Sequence, residues 1–159
     1  MKIKLKNIAV VTIILTSVFI SATSFIHHTK AEVELIWKAE ISPAGKLKKG
    51  DTAWVLLQTD IPENFHSYSN ETSADVGPIV TQLAFEKKYK PIGKDIIEGN
   101  KKEVYEEVFK SKFTELRGHI TVKRKFKVHK NMIKFKVLTQ VCDDNICVMK
   151  EKDFELKVY

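Results

Sequence analysis

The chain is predicted to be all-β, an antiparallel β-sandwich, and three features of the sequence predict it. Apolar residues recur at every second position in segments of seven to ten residues, turn-forming residues separate these segments, and no stretch of ten carries a convincing helical stripe. In chain order the alternating segments are 33–39, 52–59, 79–85, 119–128, 132–141 and 153–159. Breakers fall at 42–45, 49–51, 77–78, 91–93, 99–100 and 129–131, where reversals are needed. The best helical exception, 103–113, also reads as alternating faces. Trp37, Trp54, Phe85, Phe126 and Phe135 take core-facing positions. Lysines 123, 125, 127, 134 and 136 occupy every second position of two segments read as neighbours, which predicts one solvated face.

Residues 1–31 read differently. Lys2, Lys4 and Lys6 precede an apolar run from Ile8 to Ile20, the pattern of an export signal. Cleavage could follow Ser24 or Ala31; Ala31 is favoured because strand-like alternation begins directly after it. An uncleaved anchor is the competing reading, since no charge occurs between Lys6 and Lys30, although threonines and serines dilute the run. Residues 32–159 are then one domain, with no internal repeat or linker. That domain holds 23 basic and 20 acidic residues, a balance that does not indicate a nucleic-acid partner.

The two cysteines, Cys142 and Cys147, are the most informative residues. They bracket Asp143-Asp144-Asn145-Ile146 directly after an alternating segment, and Asp-Asp-Asn is turn chemistry. Facing each other across a tight hairpin, they would lie at a separation that a disulfide spans. Closing so short a loop contributes only about 2 kcal/mol, against roughly 4.7 for a 100-residue loop. A redox-active dithiol is therefore the preferred reading. An inert structural disulfide stays open; a metal site lacks ligands, because two cysteines and scattered histidines fall short of the four a structural zinc needs. Of the five histidines only His66, in Phe65-His66-Ser67-Tyr68, has a functional case. Asn70-Glu71-Thr72 has the form of a glycosylation sequon.

The Phe65-His66-Ser67-Tyr68 segment, followed by Gly77-Pro78 and then by Gln140-Val141-Cys142 ending in Cys147, resembles the N-terminal domain of DsbD, the thiol:disulfide interchange protein, over residues 33–159. The resemblance implies an immunoglobulin-like periplasmic domain without a cofactor. Its dithiol would take electrons from a thioredoxin-like protein, itself supplied by a separate membrane electron transporter, and pass them to oxidised extracytoplasmic clients. Cys142 and Cys147 match the redox pair, with Cys147 forming mixed disulfides. Phe65, His66 and Tyr68 match site-lining positions, and 95–99 matches a short cap over the pair, with Ile97 where family members carry an aromatic. The chain departs from the family at Val148-Met149-Lys150, where prolines are common. Asp143 and Asp144 beside Cys142, with Lys150 and Lys152 on the Cys147 side, make Cys147 the expected nucleophile. The alternative from another class is a non-catalytic immunoglobulin-like binding module whose hairpin is merely locked; reach of solvent to a sulfur separates the two.

Overall fold

A computed structural model describes residues 33–71, 76–86, 88–89 and 91–159; the leader read at 1–31 lies outside them. Among the described residues there is no helix, and eight strands form two antiparallel sheets: β1 (Lys38–Ser42), β2 (Thr52–Ile61), β3 (Ser67–Tyr68), β4 (Gln82–Phe85), β5 (Pro91–Glu106), β6 (Ser111–Lys127), β7 (Met132–Cys142) and β8 (Cys147–Lys157). The larger sheet is built around β6. Strand β5 runs along one edge of it, while β2 and then β3 follow each other along the opposite edge, and β1 closes the outside of β2. The smaller sheet has the order β4-β7-β8. The architecture is the expected immunoglobulin-like β-sandwich.

Alternation decides which residues meet between the sheets. Val55 and Leu57 on β2, Ile120 and Val122 on β6, and Ile133, Phe135 and Val137 on β7 are all buried in one apolar cluster, joined by Val33, Leu35 and Trp37 from the segment before β1. Two side-chain links tie the sheets together. The Asp95 carboxylate on β5 accepts the Leu83 N–H of β4 at 2.8 Å and the Arg124 guanidinium of β6 at 3.0 Å. Burial pushes that carboxyl above its usual range, against the pull of these two donors. The second runs through the buried Thr81 hydroxyl, just before β4, which meets the Ser67 hydroxyl of β3 at 3.4 Å and pairs with that of Thr139 on β7 at 2.8 Å.

Several expectations change here. Strand β5 was missed, because Pro91, Gly93 and Gly99 read as breakers. Pro91 is in fact the first residue of the strand, and register shifts fall between Ile92 and Ile96 and between Gly99 and Asn100. Gly99 has φ +148°, and a Cβ there would meet the His119 carbonyl oxygen at 2.7 Å, so only glycine lets β5 lie this close to β6. Strand β6 starts at 111 rather than 119, and β8 at 147 rather than 153. The five lysines do not share a face: β6 and β7 belong to different sheets, so residues 123, 125 and 127 are separated from 134 and 136. Trp54 alternates outward between buried Ala53 and Val55, and Lys125 lies over its ring at 4.9 Å from the centroid. Packing against the core and a cation above the ring satisfy an indole about equally well, and periodicity alone does not tell which side of a strand is inside.

Candidate functional site

The β7–β8 ladder ends on its cysteines. Cys142 and Cys147 are directly opposed, the last pair of the register, and their sulfurs form a disulfide with Cα atoms 4.0 Å apart. The four-residue loop between them is held by Asp143. Its backbone N–H donates to the Ile146 carbonyl at 3.0 Å, and its carboxylate accepts the N–H groups of Asn145 and Ile146, each at 2.8 Å. Those two backbone donors hold the Asp143 carboxyl below the usual aspartate range. The turn chemistry read from the sequence is thus carried by one side chain.

Cys142 has a second neighbour on its other side. His66 and Cys142 exchange both backbone hydrogen bonds, at 2.9 and 2.8 Å, so His66, Cys142 and Cys147 form a row across three chain segments. This bridge joins the segment leading into β3, a strand of the larger sheet, to β7 of the smaller one. The Thr81 N–H donates to the Tyr68 carbonyl at 2.7 Å and closes the same junction. The disulfide therefore sits where the two sheets are stitched together, on a well-fixed backbone.

The two cysteines are not equivalent. Cys142 is 1% exposed and packs with Tyr68, Phe113, Val80 and Val104, whereas Cys147 is exposed. Rings continue outward from the pair: His66 meets Tyr68 edge-on at 5.2 Å, Tyr68 meets Phe113 at 6.1 Å, and Phe113 meets Phe109 at 5.6 Å. Gly77 is needed for this packing, since a Cβ there would stand 2.5 Å from the Phe113 ring. The Gln140 amide fixes the remaining side. Its oxygen accepts the Ile79 N–H at 2.7 Å, which leaves its NH₂ to point at the Cys142 sulfur, 3.7 Å away.

Beside the disulfide is a cavity of about 390 Å³ lined by His66, Tyr68, Glu106, Glu115, Arg117 and the 142–147 hairpin. Its polar groups are mutually satisfied. The Tyr68 hydroxyl donates to Glu106 at 3.0 Å and so accepts from His66 Nε2, 3.1 Å away, which places the neutral imidazole proton on Nε2. Glu115, nearly buried, accepts both Nε and Nη2 of Arg117 at 3.0 and 2.8 Å, and one of its oxygens lies 3.7 Å from His66. Burial lowers the His66 pKa, opposed by Glu115, and burial together with the Glu106 hydrogen bond raises that of Tyr68. Among the described residues no group of three or more His, Cys, Asp or Glu is placed to hold a metal ion.

The site brings together His66, Tyr68, Asp143, Asp144 and both cysteines of the expected set. It does not include Phe65, which packs against the main core, or Ile97, which is 2% exposed in that core opposite Val122. Residues 95–99, the expected cap, instead belong to edge strand β5, with Ile97 turned into the core. The covering is supplied further along, by the end of the β5–β6 hairpin, whose Val104 and Phe113 pack onto Cys142. Lys150 and Lys152 are also displaced, because both are an odd number of positions from Cys147 and alternate to the other face of β8. The cation lining the cavity is Arg117, which the sequence reading did not single out. Glu106 and Glu115 were missed as well; only their alternation with Val104 and Phe113 hinted that they would face the same side.

The fold and site together define a class: a β-sandwich with an asymmetric, half-exposed hairpin disulfide at one end. Comparison with solved structures finds the N-terminal periplasmic domain of ScsB from Proteus mirabilis, with a TM-score of 0.53 and 11% identity over 77% of this chain; the match spans 44% of that chain. It also finds the N-terminal domain of DsbD from Neisseria meningitidis in its reduced form, with a TM-score of 0.49 and 16% identity over 69% of this chain and 77% of that one. No protein-family model matches the sequence, and a search of curated proteins gives no match. The ScsB likeness shows the fold, the β-sandwich that the sequence predicts.

Proposed function

We propose that the chain is an extracytoplasmic thiol–disulfide interchange domain whose Cys142–Cys147 pair cycles between disulfide and dithiol. The observation that carries this reading is the asymmetry of the pair: Cys147 is an exposed residue, while Cys142 is buried against Tyr68, Phe113, Val80 and Val104. An incoming thiolate attacks Cys147 Sγ in line with the disulfide. The S–S bond breaks, its electron pair leaves on Cys142 Sγ, and that sulfur takes a proton. A second thiol of the donor then attacks its own sulfur in the mixed disulfide, releasing Cys147 as thiolate and leaving the donor oxidised. Run in reverse against an oxidised client, the same steps deliver two electrons. A thioredoxin-like protein is the donor and oxidised extracytoplasmic proteins are the clients, with a membrane electron transporter acting only through the donor.

The periplasmic origin of the ScsB domain that shares this fold supports the extracytoplasmic placement, as does the export pattern of residues 1–31. Exposure of Cys147 counts against the alternative of a locked binding module, which needs neither sulfur to be reachable. The reduction potential against glutathione tests the proposal. A value near those of exchanging dithiols is expected; one far below about −300 mV, the range of inert structural bonds, would make the disulfide a staple.

A further inference from the structure

The surroundings of the disulfide have a composition unlike the rest of the domain. Residues 32–159 carry more basic than acidic groups, yet the cavity at the pair and the adjoining one of about 310 Å³ are lined by Glu63, Glu106, Glu115, Asp143 and Asp144 against a single guanidinium, Arg117. That guanidinium is already engaged by Glu115. His66 adds no standing charge at neutral pH, because burial favours its neutral form. The nearby lysines reduce the imbalance without cancelling it: Lys112 is paired with Glu103 at 2.7 Å and Lys150 alternates away, while Lys102, opposite Glu115, and Lys110, at the turn of the β5–β6 hairpin, face five carboxylates together with the engaged Arg117.

Apolar groups gather at the same place. Val108 is 85% exposed and Met149 55%, and Phe109, Ile146 and Ile79 are exposed too. Four of them are fixed to the site: Phe109 through Phe113, Ile79 through Gln140, Met149 as the residue paired with Gln140 across β7 and β8, and Ile146 within the hairpin. Exposed apolar side chains concentrated at one end of a sandwich mark a surface that is covered part of the time. Long-range charge of one sign around such a surface selects the approaching partner and speeds its arrival.

We infer that the disulfide end is a docking surface for a thioredoxin-like protein whose reactive thiol lies in an apolar patch rimmed by lysine or arginine. This inference rests on the interchange reading and deepens it by naming the partner's charge. An acidic surround has a second effect with the same consequence. It disfavours a thiolate on either cysteine of the reduced pair, so a cationic partner that neutralises the surround on docking also makes Cys147 a better nucleophile or leaving group in the complex.

The test uses the oxidised full chain and three small thiols of similar size: cationic cysteamine, neutral 2-mercaptoethanol and anionic 2-mercaptoethanesulfonate, with rates expressed per thiolate and corrected for thiol pKa. At about 10 mM salt, cysteamine should react roughly tenfold faster than the sulfonate, and the ratio should fall below about threefold at 0.5 M salt, where charges are screened beyond a few ångströms. Asp144→Lys should shrink the low-salt ratio, while Glu155→Lys, at the far end of β8, should leave it as it was. A thioredoxin carrying two lysines beside its reactive cysteine should exchange faster than the same protein carrying two glutamates. Equal rates for the three thiols, or preference for the sulfonate, overturn the inference and leave the interchange reading standing. No exchange with any of them overturns both.

Discussion

Strand β7 takes part in two cross-strand rows of three, seven residues apart, and the contrast between them locates the chemistry. At one end Phe85, Phe135 and Phe154 lie side by side across β4, β7 and β8, with ring centroids 5.4 and 5.3 Å apart. At the other, His66, Cys142 and Cys147 form the equivalent row. The first is stacked apolar surface that contributes packing and nothing that titrates. The second spends the same geometric arrangement on a bond that can be broken, on a buried sulfur and on an imidazole held by Tyr68. A sheet offers each register position as a slot, and what occupies the slot decides whether it stabilises the fold or carries out exchange.

The largest expected effect breaks the second row at its exposed end. Cys147→Ser should reduce mixed-disulfide formation with a thioredoxin-like partner by more than about a hundredfold, since the buried Cys142 is not reachable in its place. Cys142→Ser should instead let the adduct accumulate with an oxidised partner whose own released thiol is alkylated, because the resolving thiol of this chain is gone. Mass spectrometry of the trapped species reads both; equal trapping by the two variants would refute the assignment of Cys147 as the attacked sulfur. Breaking the first row should do the opposite. Phe135→Ala removes a buried ring between two others and should cost about 3–5 kcal/mol in chemical denaturation, while the exchange rate of the still-folded fraction stays unchanged. Removing the disulfide itself, as the Cys142→Ala/Cys147→Ala double variant, should cost only about 2 kcal/mol, the entropy of a short loop. A loss larger than that of Phe135→Ala would mean that the bond is chiefly structural.

How much of this the sequence showed depends on how local each feature is. The hairpin was legible because what makes it is local: the paired cysteines and the Asp143 turn lie within six consecutive residues, 142–147, directly after the alternating segment 132–141. The partners of that hairpin were not. Tyr68 meets Glu106 across 38 positions of sequence, and nothing in either segment names the other. Strand β5 was hidden for a physical reason: as an edge strand bent by two irregularities it buries little more than Ile97 over most of its length, so its sequence looks polar and broken. Missing it also displaced the cap. With 95–99 matched to a short cap, Ile97 could be assigned to cover the cysteines, whereas a strand there turns it into the core and leaves the covering to the hairpin end.

The smallest effect concerns His66 and sharpens the comparison, because only the cysteine row contains a group that titrates near neutrality. Burial lowers the His66 pKa below its value of 6.5 in an unfolded chain, while Glu115 and Glu106 pull it back up and Arg117 pushes it down further; Asp144 adds a weaker upward pull. With the folded pKa the lower one, the unfolded chain binds more protons through this interval. The contribution of His66 to stability is therefore fully present above pH 6.5 and is lost as pH falls through the folded pKa. His66→Gln keeps an amide that can donate to the Tyr68 oxygen and has no such titration. Unfolding free energies measured from pH 7.5 down to 5.5 should fall more steeply for the native chain than for this variant, the difference between the two curves isolating His66 from the carboxylates. A difference of the opposite sign would show that Glu115 outweighs burial and that the imidazole is charged in the folded protein, which would reduce the net negative charge facing an incoming thiolate.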